Sequence, residues 1–281
     1  MVLLGFVRMF TFLFSGSKNF GKQGYEQASK NFDQSILNRR LDGRSVMVTG
    51  ANQGLGLKTC EELAKRGCTL YMVCRNAQRG EEAVQAVRAM SGNSDVHLKV
   101  CDHPASRCTC LSTTLVSWCT KGKSSPSKVV FISSGGMLTE KLDVVDLQNV
   151  GMGSRYDGTV AYARDKRRQV ALVEHFATQF EGTGVAAYTM HPGWTTTEGV
   201  KDSIPGFYSF FKNKFRDLQQ GADTIVWLAL QSPDKLEPGA FYLDRAPQTK
   251  HLPLGGTQYS KEEVDTLVKT LEGMLHKAQQ C

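Results

Sequence analysis

The sequence predicts an α/β protein built on a doubly wound parallel sheet. Short β-branched or alternating apolar runs, typical of strands, alternate with longer segments whose apolar residues recur at helical spacing. A glycine-rich turn separates the first strand from the first helix. The predicted elements follow in the order strand, helix, strand, helix, strand over residues 46–49, Leu55–Arg66, Thr69–Cys74, Gln78–Met90 and Val96–Cys101. This order is one half of a doubly wound sheet with right-handed connections.

Composition sets broad limits on the class of protein. The 281 residues, 41% hydrophobic and 22% charged, are typical of a globular chain with one large or two smaller domains. The net charge of +7 suits an anionic cofactor or an acidic membrane surface without selecting either. Because basic residues do not form blocks interleaved with aromatic residues, we expect no nucleic acid partner.

Cysteine usage indicates a reducing compartment. The chain has eight cysteines but no stretch resembling a cleavable secretory signal, so a disulfide framework is not expected. We therefore expect an intracellular protein, cytoplasmic or membrane-associated, rather than a secreted one. Four cysteines and a histidine crowd into residues 101–119, but their spacing is not the paired spacing of zinc ligands, so no metal site is predicted.

The first 40 residues are predicted to be an extension of the domain. Residues 1–14 are apolar and aromatic with Arg8 as the only charge, and they are shorter than the ~20 residues of a membrane span. Two interpretations stay open: this segment makes peripheral contact with a membrane, or it covers an apolar patch of the protein.

The glycine-rich turn is a candidate phosphate-binding site. Glycines allow the backbone to approach a ligand closely, and the N-terminus of the following helix attracts an anion. A glycine turn alone is more often only a turn, so this interpretation depends on its context. The candidate cofactor-binding residues here are Gly50, Asn52, Gln53, Gly54, Leu55 and Gly56.

A tyrosine and a lysine one helical turn apart provide candidate acid–base chemistry. Tyr162 and Lys166 lie at i and i+4 on a helix predicted over Thr159–Phe180. A phenol with a pKa near 10 donates a proton reluctantly at neutral pH, and a neighbouring ammonium stabilises the phenolate. The pair therefore suits proton delivery to an alkoxide.

Together, Thr-Gly-x-x-x-Gly-x-Gly and Tyr162-x-x-x-Lys166 resemble the short-chain dehydrogenase/reductase family, over Leu41 to Tyr242. The resemblance implies a Rossmann-like doubly wound parallel sheet with helices on both faces. It also implies hydride transfer between a nicotinamide and a small-molecule carbonyl or secondary alcohol, with Tyr162 as general acid/base. Lys166 would also hold the nicotinamide ribose, and Ser134, with Ser133 as the fallback, would orient the substrate oxygen.

Further cofactor contacts are implied by the same resemblance. Pro192 and Gly193 would line the nicotinamide, Thr195 would bond its amide or the phosphate, and Asp102 would contact the adenine. His191 precedes Pro192 and is interpreted as structural rather than catalytic.

The end of the second strand favours NADP(H) over NAD(H). Arg75 follows Cys74, and no acidic residue stands where it would bind the ribose hydroxyls of NAD. A guanidinium suits the 2′-phosphate of NADP, with Arg79 assisting. The alternative is a solvated arginine at a strand end.

The interval between Asp102 and Lys128 is too short for the expected fold. It holds 25 residues, whereas two successive crossovers need about 60. The sequence therefore predicts the loss of the fourth strand and its flanking helices, unless residues near Leu115 form a replacement strand or helix. The family's Asn-Asn-Ala-Gly turn and the asparagine that supports its proton relay are also missing. The alternative function is thus a catalytically weak or inactive truncated member acting through membrane or partner contact.

The predicted organisation has three parts. Residues 1–40 form the extension, 41–258 form a single dinucleotide-binding oxidoreductase domain with an aberrant segment at 102–128, and 259–281 form a C-terminal helix. Ser260 and Glu263 make a capping box for that helix. We expect the helix to pack on the body or on the partner subunit of a homodimer.

Overall fold

A computed structural model describes residues 2–101, 115–120, 127–197 and 205–279. Within these ranges the sheet contains β1 (Arg44–Thr49), β2 (Thr69–Cys74), β3 (Val96–Val100), β4 (Leu115–Thr120), β5 (Ser127–Ile132), β6 (Val185–Met190), β7 (Phe241–Leu243) and β8 (Ala246–Gln248). The α-helices are α1 (Val2–Asn19), α2 (Lys22–Ser29), α3 (Gly54–Ala64), α4 (Ala77–Ser91), α5 (Gly158–Gln179), α6 (Pro205–Phe211), α7 (Leu218–Leu230) and α8 (Lys261–Gln279).

One sheet runs through the molecule in the order β3-β2-β1-β4-β5-β6-β7-β8. Strands β1 to β3 pair in parallel, as do β5 to β7, and β8 folds back on β7 as an antiparallel edge. The α/β fold with a doubly wound sheet is thus confirmed. Because β4 is antiparallel to both β1 and β5, those two strands run in the same direction, and their carboxyl ends share one edge of the sheet.

The fourth position of the sheet holds the replacement strand that the sequence left open, at Leu115–Thr120. This strand runs antiparallel to both neighbours, with Val46 opposite Trp118 and Val130 opposite Val116. The reason is chain length: six residues join β4 to β5, whereas a parallel crossover needs a dozen or more. An antiparallel strand needs only a short reversal, so the shortened interval still fills the gap between β1 and β5. Asp102 itself lies outside the described residues.

Helices pack on both faces of the sheet. One face presents the even-numbered residues of β1 and β5, such as Val46 and Val130, to a core shared with α3, α4 and α7. On the other face, Phe131 of β5 stacks on Phe176 of α5. Three cysteines are fully or nearly buried in the first core, where they act as small apolar residues: Cys60, Cys68 and Cys74.

The N-terminal extension packs against the body of the protein. Phe12 of α1 and Phe20, just after it, are buried in a cluster with Trp194. By contrast, Phe10 and Phe14 are 72% and 71% exposed, and their rings stack 6.3 Å apart. Helix α1 therefore both covers an apolar patch and presents aromatic rings to solvent. Among the described helices, none has the length and apolarity needed to cross a membrane.

The C-terminal helix α8 lies against α5. Val264 and Leu267 are buried with Ala171 and Leu172 of α5. The capping box is formed: the Glu263 N–H donates to the Ser260 hydroxyl, and the Ser260 N–H donates to the Glu263 carboxylate.

Candidate active site

The glycine turn is a tight connection between β1 and α3. Gly50 and Gly54 have positive φ angles of 62° and 55°, a region that favours glycine. A β-carbon on Gly56 would lie 2.2 Å from the Gly50 carbonyl oxygen, so only glycine fits there. Gln53 stands at the N-cap of α3 without a side-chain capping bond, which leaves the first turn suited to an external anion. The remaining candidates, Asn52 and Leu55, are half-buried in the same turn.

The predicted NADP-selecting arginines lie beside this turn. Thr49 at the end of β1 pairs with Val73 of β2, so Gly50 and Arg75 follow neighbouring strands at the same edge. Arg75 and Arg79 are exposed. Asn76 caps α4 by accepting the Arg79 N–H at 2.9 Å, which places Arg79 in the first turn of that helix.

The three predicted catalytic residues come together. Asp157 caps the start of α5, and the Tyr162 hydroxyl on its next turn is hydrogen-bonded to the Ser134 hydroxyl in the loop after β5. Lys166 Nζ lies 5.5 Å from the centroid of the Tyr162 ring. Ser133 instead donates to the Lys166 carbonyl at 2.9 Å, so its hydroxyl is engaged within the fold. The geometry therefore favours Ser134 over Ser133 as the substrate-facing hydroxyl.

The pKa of Tyr162 differs from the sequence expectation. Desolvation raises the pKa of the phenol, although 36% of the side chain is exposed, and the Ser134 hydrogen bond partly offsets this rise. The expected lowering by Lys166 is not seen, because Nζ donates to the Ile132 carbonyl at 2.9 Å and to Gln169 Oε1 at 3.3 Å. In this state the phenol remains protonated at neutral pH.

The loop after β6 reaches from the tyrosine site to the glycine turn. Gly193, at φ 73°, packs against the Arg216 guanidinium, and a β-carbon there would meet Nε at 2.3 Å. The Thr195 hydroxyl donates to the Pro192 carbonyl at 2.8 Å and is buried, so it braces the loop itself. Further along, a β-carbon on Gly54 would lie 3.8 Å from Thr197, which joins the two ends of the site.

His191 is buried behind this loop. Burial and the positive charges of Arg216 and Lys166 lower its pKa to about 3. Among the described residues neither ring nitrogen has a hydrogen-bond partner. The Phe20 ring packs edge-on against the imidazole at 4.7 Å. A neutral imidazole enclosed in this way agrees with the structural interpretation of His191.

Sequence reasoning missed the ion pair that holds the site to the N-terminal extension. Arg216 is 1% exposed; it forms two bonds with Asp244 and donates to the carbonyls of Asn19 and Gly21. The Trp194 N–H also donates to the Phe20 carbonyl at 2.8 Å. These partners are distant in sequence, and no local spacing signals them.

The sheet brings these parts to one place. The glycine turn follows β1, Ser134 lies just beyond β5, and the Pro192–Thr197 loop follows β6, all at the shared carboxyl edge. In open α/β sheets ligands bind at this edge. Among the described residues no group of three or more His, Cys, Asp or Glu could hold a metal ion.

Comparisons with known proteins identify relatives of this chain. Residues 44–110 match the profile of the short chain dehydrogenase family. Dehydrogenase/reductase SDR family member 12 from Bos taurus is 33% identical over 93% of this chain and 96% of its own length, and the Homo sapiens protein is 34% identical over 92% and 94%. Retinol dehydrogenase 12 from Mus musculus is 28% identical over 74% of this chain and 79% of its own length. The alignment with the cattle protein spans 309 positions, more than the 281 residues here, so that protein carries residues with no counterpart in this chain.

Solved structures share the fold. An uncharacterized protein from Mycobacterium paratuberculosis superposes with a TM-score of 0.58 at 18% identity, covering 84% of this chain and 94% of its own. A 3-oxoacyl (acyl-carrier-protein) reductase from Agrobacterium tumefaciens with NADP bound gives 0.51 at 18% identity, covering 75% and 96%. Fold and site together define an α/β oxidoreductase. The chain belongs to the short-chain dehydrogenase/reductase family, whose members use nicotinamide cofactors.

Proposed function

We propose that this chain is an NADP(H)-dependent oxidoreductase that interconverts a carbonyl and a secondary alcohol, with Tyr162 as general acid/base. One observation carries the proposal: the Tyr162 and Ser134 hydroxyls are hydrogen-bonded, with the Lys166 ammonium one helical turn away. This group lies at the same sheet edge as the glycine turn. A proton donor, an orienting hydroxyl and a cation thus stand beside a candidate phosphate site.

The glycine turn and Arg75 support NADP(H) as the cofactor, with NAD(H) second. The uncapped N-terminus of α3 offers N–H donors for the diphosphate. Arg75 and Arg79 are exposed beside it, where guanidinium groups would recognise a 2′-phosphate. Pro192 and Gly193 would line the nicotinamide, with Thr195 bracing their loop.

The side chains divide the chemistry of reduction between them. When bound, the nicotinamide supplies the hydride. The Ser134 hydroxyl holds the substrate oxygen, and the Tyr162 hydroxyl donates its proton to the alkoxide that develops there. Lys166 stabilises the resulting phenolate with its charge. The phenol carries its proton at neutral pH, as a proton donor must, and because burial raises its pKa, its donation depends on the stabilisation of the phenolate by Lys166.

Oxidation of NADPH in the presence of a panel of aldehydes and ketones tests the activity. We expect saturable NADPH binding and carbonyl-dependent turnover, lost in Tyr162→Phe and much reduced in Ser134→Ala. Tyr156→Phe is the matched control, because Tyr156 is 63% exposed just before α5. The absence of saturable NADPH binding would reject the enzyme function for this chain.

A second function, contact with a membrane by a weakly active or inactive chain, is favoured by the antiparallel β4 and by helix α1. β4 replaces the parallel strand that would otherwise lead into the cofactor edge. Phe10 and Phe14 are stacked and exposed, as expected of a segment that enters a membrane interface. Sedimentation with anionic phospholipid vesicles should be lost in Phe10→Ser/Phe14→Ser and kept in Val145→Ser, another exposed apolar position. Sedimentation velocity of the same proteins without vesicles tests the proposed homodimer.

A further inference from the structure

The Lys166 ammonium is held between two oxygen acceptors. Nζ donates to the Ile132 carbonyl at 2.9 Å and to Gln169 Oε1 at 3.3 Å. Ile132 ends β5, two residues before Ser134, and Gln169 lies three residues beyond Lys166 on α5. The ammonium therefore bridges the strand that leads to Ser134 and the helix that carries Tyr162.

The backbone of the same lysine is fixed as well. Ser133 donates its hydroxyl to the Lys166 carbonyl at 2.9 Å. Lys166 is thus tied to the end of β5 at both its carbonyl and its ammonium. Gln169 provides the side-chain acceptor in this arrangement.

Gln169 is an unusual residue for its position. It is 1% exposed, on a part of α5 that also buries Val170 and Val173. Burying an amide is unfavourable unless it is hydrogen-bonded, and an apolar side chain would fill the same space without that cost. The bond to Lys166 gives the amide oxygen a specific partner.

We infer that Gln169 is a positioning residue for the proposed reaction: its amide oxygen fixes the Lys166 ammonium beside the Tyr162 ring. The inference rests on the proposed function and deepens it. Tyr162, Lys166 and Gln169 follow at i, i+4 and i+7 on one face of α5. Gln169 thereby provides support for the lysine in a chain that lacks the asparagine expected for the relay.

The neighbouring titratable group does not complicate this role. His191, after β6, faces Lys166, and the charges of Lys166 and Arg216 together with burial lower its pKa to about 3. It is therefore uncharged across the range in which the enzyme would work. A change at Gln169 is therefore expected to reach Tyr162 through the Lys166 ammonium.

The test is the pKa of Tyr162, measured on the full chain labelled with ¹³Cζ-tyrosine and assigned with Tyr162→Phe. Gln169→Met keeps an unbranched side chain without the acceptor, so the ammonium becomes freer to turn toward the phenol, and we expect the pKa of Tyr162 to fall by about one unit, a tenfold change in the protonation equilibrium. Gln169→Glu keeps an acceptor for the ammonium and adds a negative charge, so it should not lower the pKa. Gln179→Met, the same change at an exposed position of α5, should leave the pKa unaltered.

An unchanged Tyr162 pKa in Gln169→Met, with or without lower stability, would mean that Gln169 only packs and would overturn the inference. If that variant fails to fold, Gln169→Leu, which also lacks the acceptor, decides by the same criterion. NADPH-dependent turnover of the same variants tests the proposed function separately from the positioning role of Gln169. A pKa shift in a chain without NADPH-dependent activity supports the positioning role but rejects the enzyme. Activity that depends on Tyr162 with no shift rejects the positioning role alone.

Discussion

Gly56 lies against the carbonyl oxygen of Gly50, so close that a β-carbon at Gly56 would be 2.2 Å from that oxygen. The turn between β1 and α3 is therefore compact because of two glycines six residues apart. Its shape, rather than any charged side chain, is what prepares the N-terminus of α3 for an anion.

Gly56→Ala should deform this turn. We expect a loss of about 1–3 kcal/mol in the free energy of unfolding from overpacking, together with at least tenfold weaker NADPH binding. Gly273→Ala is the control: Gly273 lies in α8 with open space around it, and alanine there should stabilise the helix by up to about 1 kcal/mol. Urea unfolding measures the free energy of unfolding of both variants, and fluorescence titration measures their affinity for NADPH. Unaltered NADPH affinity in Gly56→Ala would show that the turn does not bind the cofactor.

Arg75→Glu should change the cofactor preference. Loss of a charged hydrogen bond weakens binding by about 1.5–3 kcal/mol, so NADPH affinity should fall about 10- to 100-fold while NADH affinity holds or improves. Lys277→Glu, which makes the same change of charge on α8, should weaken neither cofactor selectively. An equal loss for NADPH and NADH in Arg75→Glu would argue against recognition of the 2′-phosphate.

Acid should destabilise the protein through His191. Its pKa is about 3 in the folded protein and near 6.5 when unfolded, so the unfolded chain binds the extra proton between these values. The contribution of His191 to the free energy of unfolding is fully present above pH 6.5 and decreases as the pH drops toward 3. Between pH 7 and pH 5 the decrease is about 2 kcal/mol. His191→Leu should remove that part of the pH dependence, whereas His276→Leu, at an exposed position, should keep it. Urea unfolding at both pH values measures it, and parallel pH profiles for wild type and His191→Leu would contradict the account.

The Arg216–Asp244 pair should be essential to stability. Asp244→Asn leaves a buried guanidinium without its counter-charge, a change that costs about 3 kcal/mol. It should also loosen α1, since Arg216 holds the carbonyls of Asn19 and Gly21. Asp42→Asn disrupts an exposed pair with Arg40 and should have little effect on unfolding. Equal stability of the two variants would show that the buried pair does not anchor the extension.

The direction of β4 can be tested with a cysteine pair. Ser45 lies directly opposite Cys119 in the antiparallel register, a separation compatible with a disulfide. Ser45→Cys should therefore form a disulfide with Cys119 on mild oxidation, detected by mass spectrometry of peptides. Met47→Cys, opposite Ser117, should form much less. Preferential cross-linking from residue 47 would mean a different register or direction for β4.

The features that sequence could predict are local. The glycine spacing and the Tyr162–Lys166 pair are encoded within single elements, so a turn and a helical face could be inferred directly. The direction of β4 depends on how long the connections are and on which strands remain to be paired, a non-local competition that spacing alone does not resolve. The Arg216–Asp244 pair and the contact of Phe20 with His191 join residues from distant parts of the chain, and only the folded sheet edge brings them together. The bond from Lys166 to Gln169 is local, but a buried glutamine has no distinctive signature in a sequence.

The most direct test of the account is carbonyl-dependent NADPH oxidation by wild type and Tyr162→Phe, compared at equal NADPH occupancy. Loss of a general acid lowers rates by about 10²- to 10⁴-fold, so we predict a decrease of that size with NADPH affinity retained. Equal rates in the two proteins would contradict the central claim that the Tyr162 phenol delivers the proton.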